Sequence, residues 1–353
     1  MQTESIELGF LSLLALITFF IFLIIEKISN KNTDGALMDK DFSKPQSFHD
    51  QAISRSGGIG CFLSFLLFLG IYFLLYSQIL YIYLFLGISL FLIGYLDDIK
   101  IKISPNLRLI LMIISLSLFL NLFSIRIENV DLVFLNYWLE NEIFASFFIV
   151  LCFLFIINGA NLIDGFNGLL TINLIIINSI LLFVNLSNDH LKFSFFLTGQ
   201  IIILISFLIF NFPKAKIFLG DSGSYLIGSL VALNVIYTNN LNPGLSSFFY
   251  CILLFYLFFE VFFSFFRKIY QNKSPVFPDD THLHMLIYKK INSFFGPEKS
   301  NYINSIIINL VYAILVLPSV YFIDNSLVCK YWFFSLILIY TIVYLRLYHL
   351  TKN

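Results

Sequence analysis

Five clusters of polar residues in this chain combine residue types that can handle phosphate or a metal ion. The first is Gly94-Tyr95-Leu96-Asp97-Asp98-Ile99-Lys100. Adjacent carboxylates repel, so Asp97 and Asp98 either raise a pKa or invite a cation, unless they merely solubilise a helix end. The second runs Asn158-Gly159-Ala160-Asn161-Leu162-Ile163-Asp164-Gly165-Phe166-Asn167-Gly168. Its Asn and Asp oxygens are hard donors suited to Mg²⁺; the plainer reading is a Gly/Asn turn. The third, Gly220-Asp221-Ser222-Gly223-Ser224, reads as a helix start. Its free N–H groups would attract an anion and its glycines would let a phosphate approach, or the segment is a simple cap. The fourth, Pro275-Val276-Phe277-Pro278-Asp279-Asp280-Thr281-His282-Leu283-His284, offers metal binding, acid–base chemistry or hydrogen bonds to phosphate, or is a loop with two solvated histidines. Zinc does not fit, for want of a further His or Cys at suitable spacing. The fifth pairs Lys44 and His49 with Arg55-Ser56-Gly57-Gly58, supplying cations and a hinge, or a cationic anchor at a membrane surface. Together the five make the kit for Mg²⁺-assisted chemistry on phosphates.

The elements that must hold these clusters are membrane helices. Of 353 residues, 59% are hydrophobic and 12% charged, against about 25% charged in a soluble domain. That excludes soluble, disordered and secreted disulfide-scaffold classes. The 21 basic and 21 acidic residues balance, which argues against nucleic-acid binding by bulk charge. The four cysteines read as small apolar residues.

Eleven apolar runs are long enough to span a bilayer: 8–25, 59–76, 79–96, 107–125, 143–157, 169–186, 193–210, 222–238, 245–266, 303–322 and 328–348. The first is expected to be a span and not a cleaved leader, because Glu4 and Glu7 precede it and Lys27 and Lys31 follow. The positive-inside rule then places the N-terminus outside and the C-terminus in the cytoplasm. Threading eleven spans from that start puts 18 of the 21 basic residues inside. The expected fold is an all-α integral membrane protein of about eleven transmembrane helices, forming one polytopic domain. All five clusters then fall on the cytoplasmic face, in segments 26–58, 97–106, 158–168, 211–224 and 267–302. Ser104-Pro105 reads as N-cap and first residue of the fourth span. Segment 126–142 leaves room for a short interfacial helix outside, and irregular backbone is expected through the Asn158–Gly168 stretch.

The five clusters, in this order, resemble the polyprenyl-phosphate N-acetylhexosamine-1-phosphate transferases, a superfamily that includes the WecA- and WbpL-type enzymes and the phospho-MurNAc-pentapeptide translocases. The resemblance covers nearly the whole chain to residue 285. His282-Leu283-His284-Met285 matches the His-x-His-His motif of the WecA/WbpL branch except at Met285. Asn167 stands where many bacterial members carry Asp, and Ala52 and Ser54 where proline is common.

The resemblance implies transfer of a sugar-1-phosphate from a UDP-N-acetylhexosamine-type sugar to undecaprenyl phosphate. UMP is released, and a cell-envelope glycan such as O-antigen is initiated. Localisation would be the inner (plasma) membrane, multi-pass, with the active site cytoplasmic. The implied cofactor is Mg²⁺, with Mn²⁺ as an alternative. Asp221, helped by Asn161, would hold the metal. Asp97 or Asp98 would orient or deprotonate the acceptor phosphate, and Asp164 would help bind the nucleotide or organise the site. His282 and His284 would meet the diphosphate or the sugar phosphate. Lys44, His49, Arg55, Lys100, Asn158, Gly165, Ser222, Gly223 and Ser224 would complete substrate binding. The rival class is a polytopic transporter or lipid-carrier flippase. Transporters tend to place ionisable groups near the midplane, whereas these spans are nearly charge-free, Glu260 excepted.

Overall fold

The computed structural model describes residues 2–31, 35, 37–39, 52–99, 101, 103–128, 130–274 and 279–352. In chain order a long helix α1 (Gln2–Lys31) leads to an antiparallel pair, β1 (Met38–Asp39) and β2 (Ile53–Ser54). Helices α2 (Gly57–Tyr76), α3 (Tyr81–Asp98), α4 (Pro105–Phe123), α5 (Val133–Leu139) and α6 (Glu142–Ile163) follow. Then come α7 (Leu169–Ser187), α8 (Leu191–Asn211), α9 (Gly220–Leu241), α10 (Ser247–Leu253) and α11 (Phe255–Tyr270). The chain ends with α12 (Leu283–Phe295), α13 (Pro297–Val316) with a 3₁₀ extension (Leu317–Phe322), and α14 (Ser326–Lys352).

Among the described residues, nine helices are long and apolar enough to cross a membrane. A tenth span arises if α10 and α11, bent by 75° at their junction, count as one broken crossing. The remaining apolar run, 222–238, is helical as α9, but it carries Ser222, Ser224, Ser229, Asn234 and Thr238, all buried. A helix walled by protein has no need of a uniformly apolar surface, so α9 is the least lipid-like of the eleven.

Contacts divide the chain into two compact units. One comprises Met1–Lys40, Gln51–Ile125 and Thr171–Asn234; the other includes Arg126–Leu170 and Val235–Asn353. In the first, Phe22 of α1 packs on Phe207 and Phe210 of α8, and Thr18 shares a 2.8 Å hydrogen bond with Ser206. Deeper, Asn234 of α9 accepts from Tyr83 Oη of α3 at 3.0 Å and donates to Asn178 of α7 and Gln200 of α8 at 3.1 and 2.8 Å. Polar groups in an apolar medium must find partners, and this neutral amide network ties four helices by doing so. In the second unit Gly159 of α6 lies so close to the Leu257 backbone of α11 that a side chain there would collide with it. The short α5 forms where an interfacial helix is expected, with Phe134, Tyr137 and Trp138 exposed. Ser104 accepts from Leu107 N at 3.3 Å with Pro105 at the first helical position, as its spacing foretells.

The structure corrects one local expectation. Backbone through Asn158-Gly159-Ala160-Asn161 is not irregular: α6 continues to Ile163, and only Asp164–Gly168 forms a turn. Asn158 satisfies itself by donating to Leu154 O at 2.7 Å, and the glycine serves helix contact in place of a bend.

Candidate active site

In the first unit the chain entering α2 pairs with the segment before α9. Phe218 N donates to Ser54 O, Gly57 N to Phe218 O and Gly58 N to Leu219 O, each at 2.8 Å. The three-way junction sets Arg55 beside the start of α9. There the C-terminal end of α3 arrives. Asp98 Oδ1 accepts from Asp221 N at 3.0 Å, and Oδ2 from Ser222 N at 2.9 Å. A carboxylate from α3 therefore caps α9, where unsatisfied N–H groups and the helix dipole favour negative charge. The approach requires glycine twice. Gly220 has φ +77°, and a Cβ on it would meet the Asp98 carboxylate; a Cβ on Gly94 would strike the backbone of Asp221 and Ser222. The anion-seeking N–H groups expected at Gly220–Ser224 are thus not all free for phosphate, since Asp98 already holds two of them.

Asp97 turns the other way. Arg108, in the first turn of α4, brings one guanidinium nitrogen within 2.8 Å of Asp97 Oδ2 and 2.7 Å of Asp221 Oδ2. Arg55 donates to Asp39 Oδ2 through Nε at 3.1 Å and Nη2 at 2.8 Å, and stands 3.8 Å from Asp98 Oδ1. Burial alone would loosen the proton on Arg55, but Asp221, Asp39 and Asp98 outweigh it and hold the guanidinium more firmly charged than usual. With every acid ionised, four carboxylates face two guanidiniums, leaving two negative charges. Among the described residues no three His, Cys, Asp or Glu side chains form a ready-made metal cage. The donor set still suits Mg²⁺, which takes one or two carboxylates and completes its shell with water and substrate phosphates. Asp97 and Asp221 already converge on one cationic nitrogen.

In the second unit α11 presents Glu260, Ser264 and Arg267 at i, i+4 and i+7, one helix face. Glu260, 1% exposed, accepts from Tyr340 Oη at 2.7 Å and from Leu283 N, the first residue of α12, at 3.2 Å. His282 Nδ1 lies 3.1 Å from Glu260 Oε1 and 3.0 Å from Ser264 Oγ; its Nε2 lies 3.0 Å from Asp279 Oδ1. Arg267 donates to Asp279 Oδ2 at 2.7 Å, to Ser264 Oγ at 3.1 Å and to Thr281 Oγ1. Burial opposes charge on both, yet His282 and Arg267 hold Asp279 below its ordinary range, and Asp279 and Glu260 hold His282 above its own. His284 differs. It is fully buried, and burial pushes its imidazole down to about 3. Its Nδ1 shares a 3.3 Å contact with Tyr256 Oη, while Nε2 has no partner among the described residues. Phe166, from the Asp164–Gly168 turn, packs edge-on against the His284 ring at 5.7 Å between centroids, joining the second and fourth clusters. Asn167 N donates to Asn301 Oδ1 at 2.8 Å, pinning that turn to α13.

Of the residues singled out from sequence, Asp97, Asp98, Arg55, Asp221, Ser222, Gly223 and Ser224 gather in the first unit. Asn158, Asn161, Asp164, Gly165, His282 and His284 belong to the second. Lys44, His49 and Lys100 lie outside the described residues. Four participants were not legible as such. Arg108, Asp39 and Arg267 were ordinary charges in the count, and Glu260 an exception among nearly charge-free spans. The last two had a signal, their two-turn spacing on one helix.

The glycosyl transferase family 4 signature matches residues 80–239. The chain is 28% identical over 286 residues to the undecaprenyl-phosphate alpha-N-acetylglucosaminyl 1-phosphate transferase of Thermotoga maritima, covering 79% of this chain and 81% of that one. It is 30% identical over 250 residues to the probable undecaprenyl-phosphate N-acetylglucosaminyl 1-phosphate transferase of Bacillus subtilis, covering 67% and 66%. To the phospho-N-acetylmuramoyl-pentapeptide-transferase of Clostridium perfringens it is 29% identical over 161 residues, 43% of this chain and 50% of that one. By these likenesses the chain belongs to the polyprenyl-phosphate N-acetylhexosamine-1-phosphate transferase superfamily.

Proposed function

We propose that this protein transfers an N-acetylhexosamine-1-phosphate from a UDP-sugar to undecaprenyl phosphate at the cytoplasmic face of the plasma membrane, releasing UMP and starting a cell-envelope glycan. The observation that carries this reading is the convergence of Asp97 and Asp221 on one guanidinium nitrogen at the end of a membrane helix, inside a cluster of four carboxylates and two guanidiniums. A divalent ion there would neutralise the diphosphate and screen it from the approaching lipid phosphate. The 18-to-3 distribution of basic residues supports the cytoplasmic side.

In the direct route, an oxygen of the lipid phosphate attacks the sugar-bearing phosphorus. The bond from that phosphorus to the bridging oxygen breaks, and the bridging oxygen leaves with UMP. Asp221 and Asp97 would hold the cation. Asp97 also receives the acceptor's proton when that phosphate arrives as the monoanion. Asp98 keeps α9, and so Asp221, in place. Arg55 and Arg108 are released from their carboxylates in exchange for phosphate oxygens, the bidentate chemistry guanidinium suits. His284, neutral at physiological pH, offers Nε2 as donor or acceptor to the sugar phosphate. Positioning and charge neutralisation supply the rate.

Purified protein with radiolabelled UDP-N-acetylhexosamines and undecaprenyl phosphate tests this directly. Labelled lipid and UMP in equal amounts, lost on chelation with EDTA, are expected. Accumulation of lipid-linked sugar across vesicles without UMP release would replace the enzyme with the transporter reading.

A further inference from the structure

The polar side chains joining α11 to α12 form a charge-balanced set. Glu260 and Asp279 face Arg267 and His282, two charges of each sign. A bare ring nitrogen 3.0–3.1 Å from a carboxylate oxygen would set lone pair against lone pair, so a ring with both nitrogens so placed is favoured with a proton on each, and an imidazole with two N–H groups is the cation. Glu260 Oε1 also takes the N–H of Leu283, so the same carboxylate caps the first turn of α12. His284 lies two residues on, its ring parallel to that of His282 at 5.5 Å. We infer that Glu260 is a positioning residue: it fixes His282 as a doubly donating strut that sets the start of α12, and so leaves His284 Nε2 as the imidazole nitrogen of this motif able to take a ligand. The two histidines therefore do different work. His282 has no lone pair left with which to act as a base.

The groups facing His282 are Glu260, Ser264 and Arg267 from α11, Asp279 from the preceding loop and His284 from α12; Tyr340 of α14 reaches it through Glu260. The competing arrangement is specific. Ser264 would donate to Nδ1, His282 would be neutral with its proton on Nε2, and Glu260 would hold only Leu283 and Tyr340.

The test uses the full-length protein in proteoliposomes with ¹⁵N-labelled histidine, His282 being assigned by difference with His282→Asn. At pH 7.5 the wild-type spectrum should show both His282 nitrogens protonated, and Glu260→Gln should convert the ring to a neutral tautomer. Tyr340→Phe, which keeps the Glu260 charge, should leave the imidazolium. Only the turnover arm rests on the transferase reading: Glu260→Gln is expected to lose roughly 10- to 100-fold, the size found when outer partners of ligand histidines are removed. A neutral His282 in the wild type overturns the inference without any variant having to fold. So does an imidazolium that survives in Glu260→Gln. A protein that transfers no sugar phosphate yet shows the expected spectra would instead sink the functional reading alone.

Discussion

Arg108 holds Asp221 at 2.7 Å with the same nitrogen that holds Asp97 at 2.8 Å. A guanidinium thus bridges two acidic residues that lie far apart in sequence and are brought together by α3, α4 and α9. Removing it should expose the attraction of those carboxylates for a divalent ion. Arg108→Met is expected to bind Mn²⁺ more tightly than wild type in the absence of substrate, read by electron paramagnetic resonance. The same variant should raise KM for the UDP-sugar, because the guanidinium would otherwise meet phosphate. Unchanged or weaker Mn²⁺ binding would separate Arg108 from the metal site.

Asp221 is expected to be indispensable. Asp221→Asn should abolish Mg²⁺-dependent UMP release, a loss of at least about 10²-fold for removal of a preorganised electrostatic partner. Near-normal turnover in the purified variant would end its assignment as a metal ligand.

Asp98 should behave differently from its neighbour. Its carboxylate caps α9 from α3, so Asp98→Ala should cost about 1–3 kcal/mol in stability by stranding two buried N–H groups. Asp97→Ala, whose partner Arg108 keeps Asp221, should cost less stability and more activity. Thermal unfolding in detergent beside turnover on both variants gives the comparison; equal stability losses would contradict the separation of roles.

These particulars show what a sequence can and cannot disclose. Hydropathy located the spans because length and apolarity are local properties. The Ser104-Pro105 cap was legible for the same reason. What stayed hidden was every device made by two distant segments. Asp98 on α9 and Glu260 on α12 are the same invention, a buried carboxylate from one helix capping the start of another that carries a motif. In the sequence they look like a doubled acid and a stray one. The helical course of Asn158–Asn161 was missed because Gly and Asn promise a turn locally, while Gly159 answers to Leu257 a hundred residues later.

The tie between α11 and α12 should weaken at both ends of the pH scale, for opposite reasons. Asp279 is held below the usual carboxylate range, so its contribution is complete above the unfolded value near 4 and fades as pH falls towards its folded value. His282 is held above its usual range, so its contribution is complete below about 6.5 and is lost as pH rises through the raised value. The stability gap between wild type and Asp279→Asn should therefore close in acid, and that between wild type and His282→Gln should close in alkali. Hydrogen exchange of α12 amides across pH would follow both, and a gap that closes in the opposite direction would refute the pairing.

Two glycines of one motif should respond oppositely to the same substitution. A Cβ on Gly159 would press into the Leu257 backbone, which cannot rotate aside, whereas one on Gly165 would meet nothing within 4 Å. Overpacking against backbone costs about 1–3 kcal/mol, so Gly159→Ala should lower the unfolding temperature by parting α6 from α11. Gly165→Ala should leave stability unchanged or slightly raised, since alanine restricts the unfolded chain at a position where glycine's extra freedom is not used. Unfolding curves for the two variants side by side decide the matter. A destabilised Gly165→Ala with a tolerated Gly159→Ala would mean that the turn, and not the helix contact, is why this motif is rich in glycine.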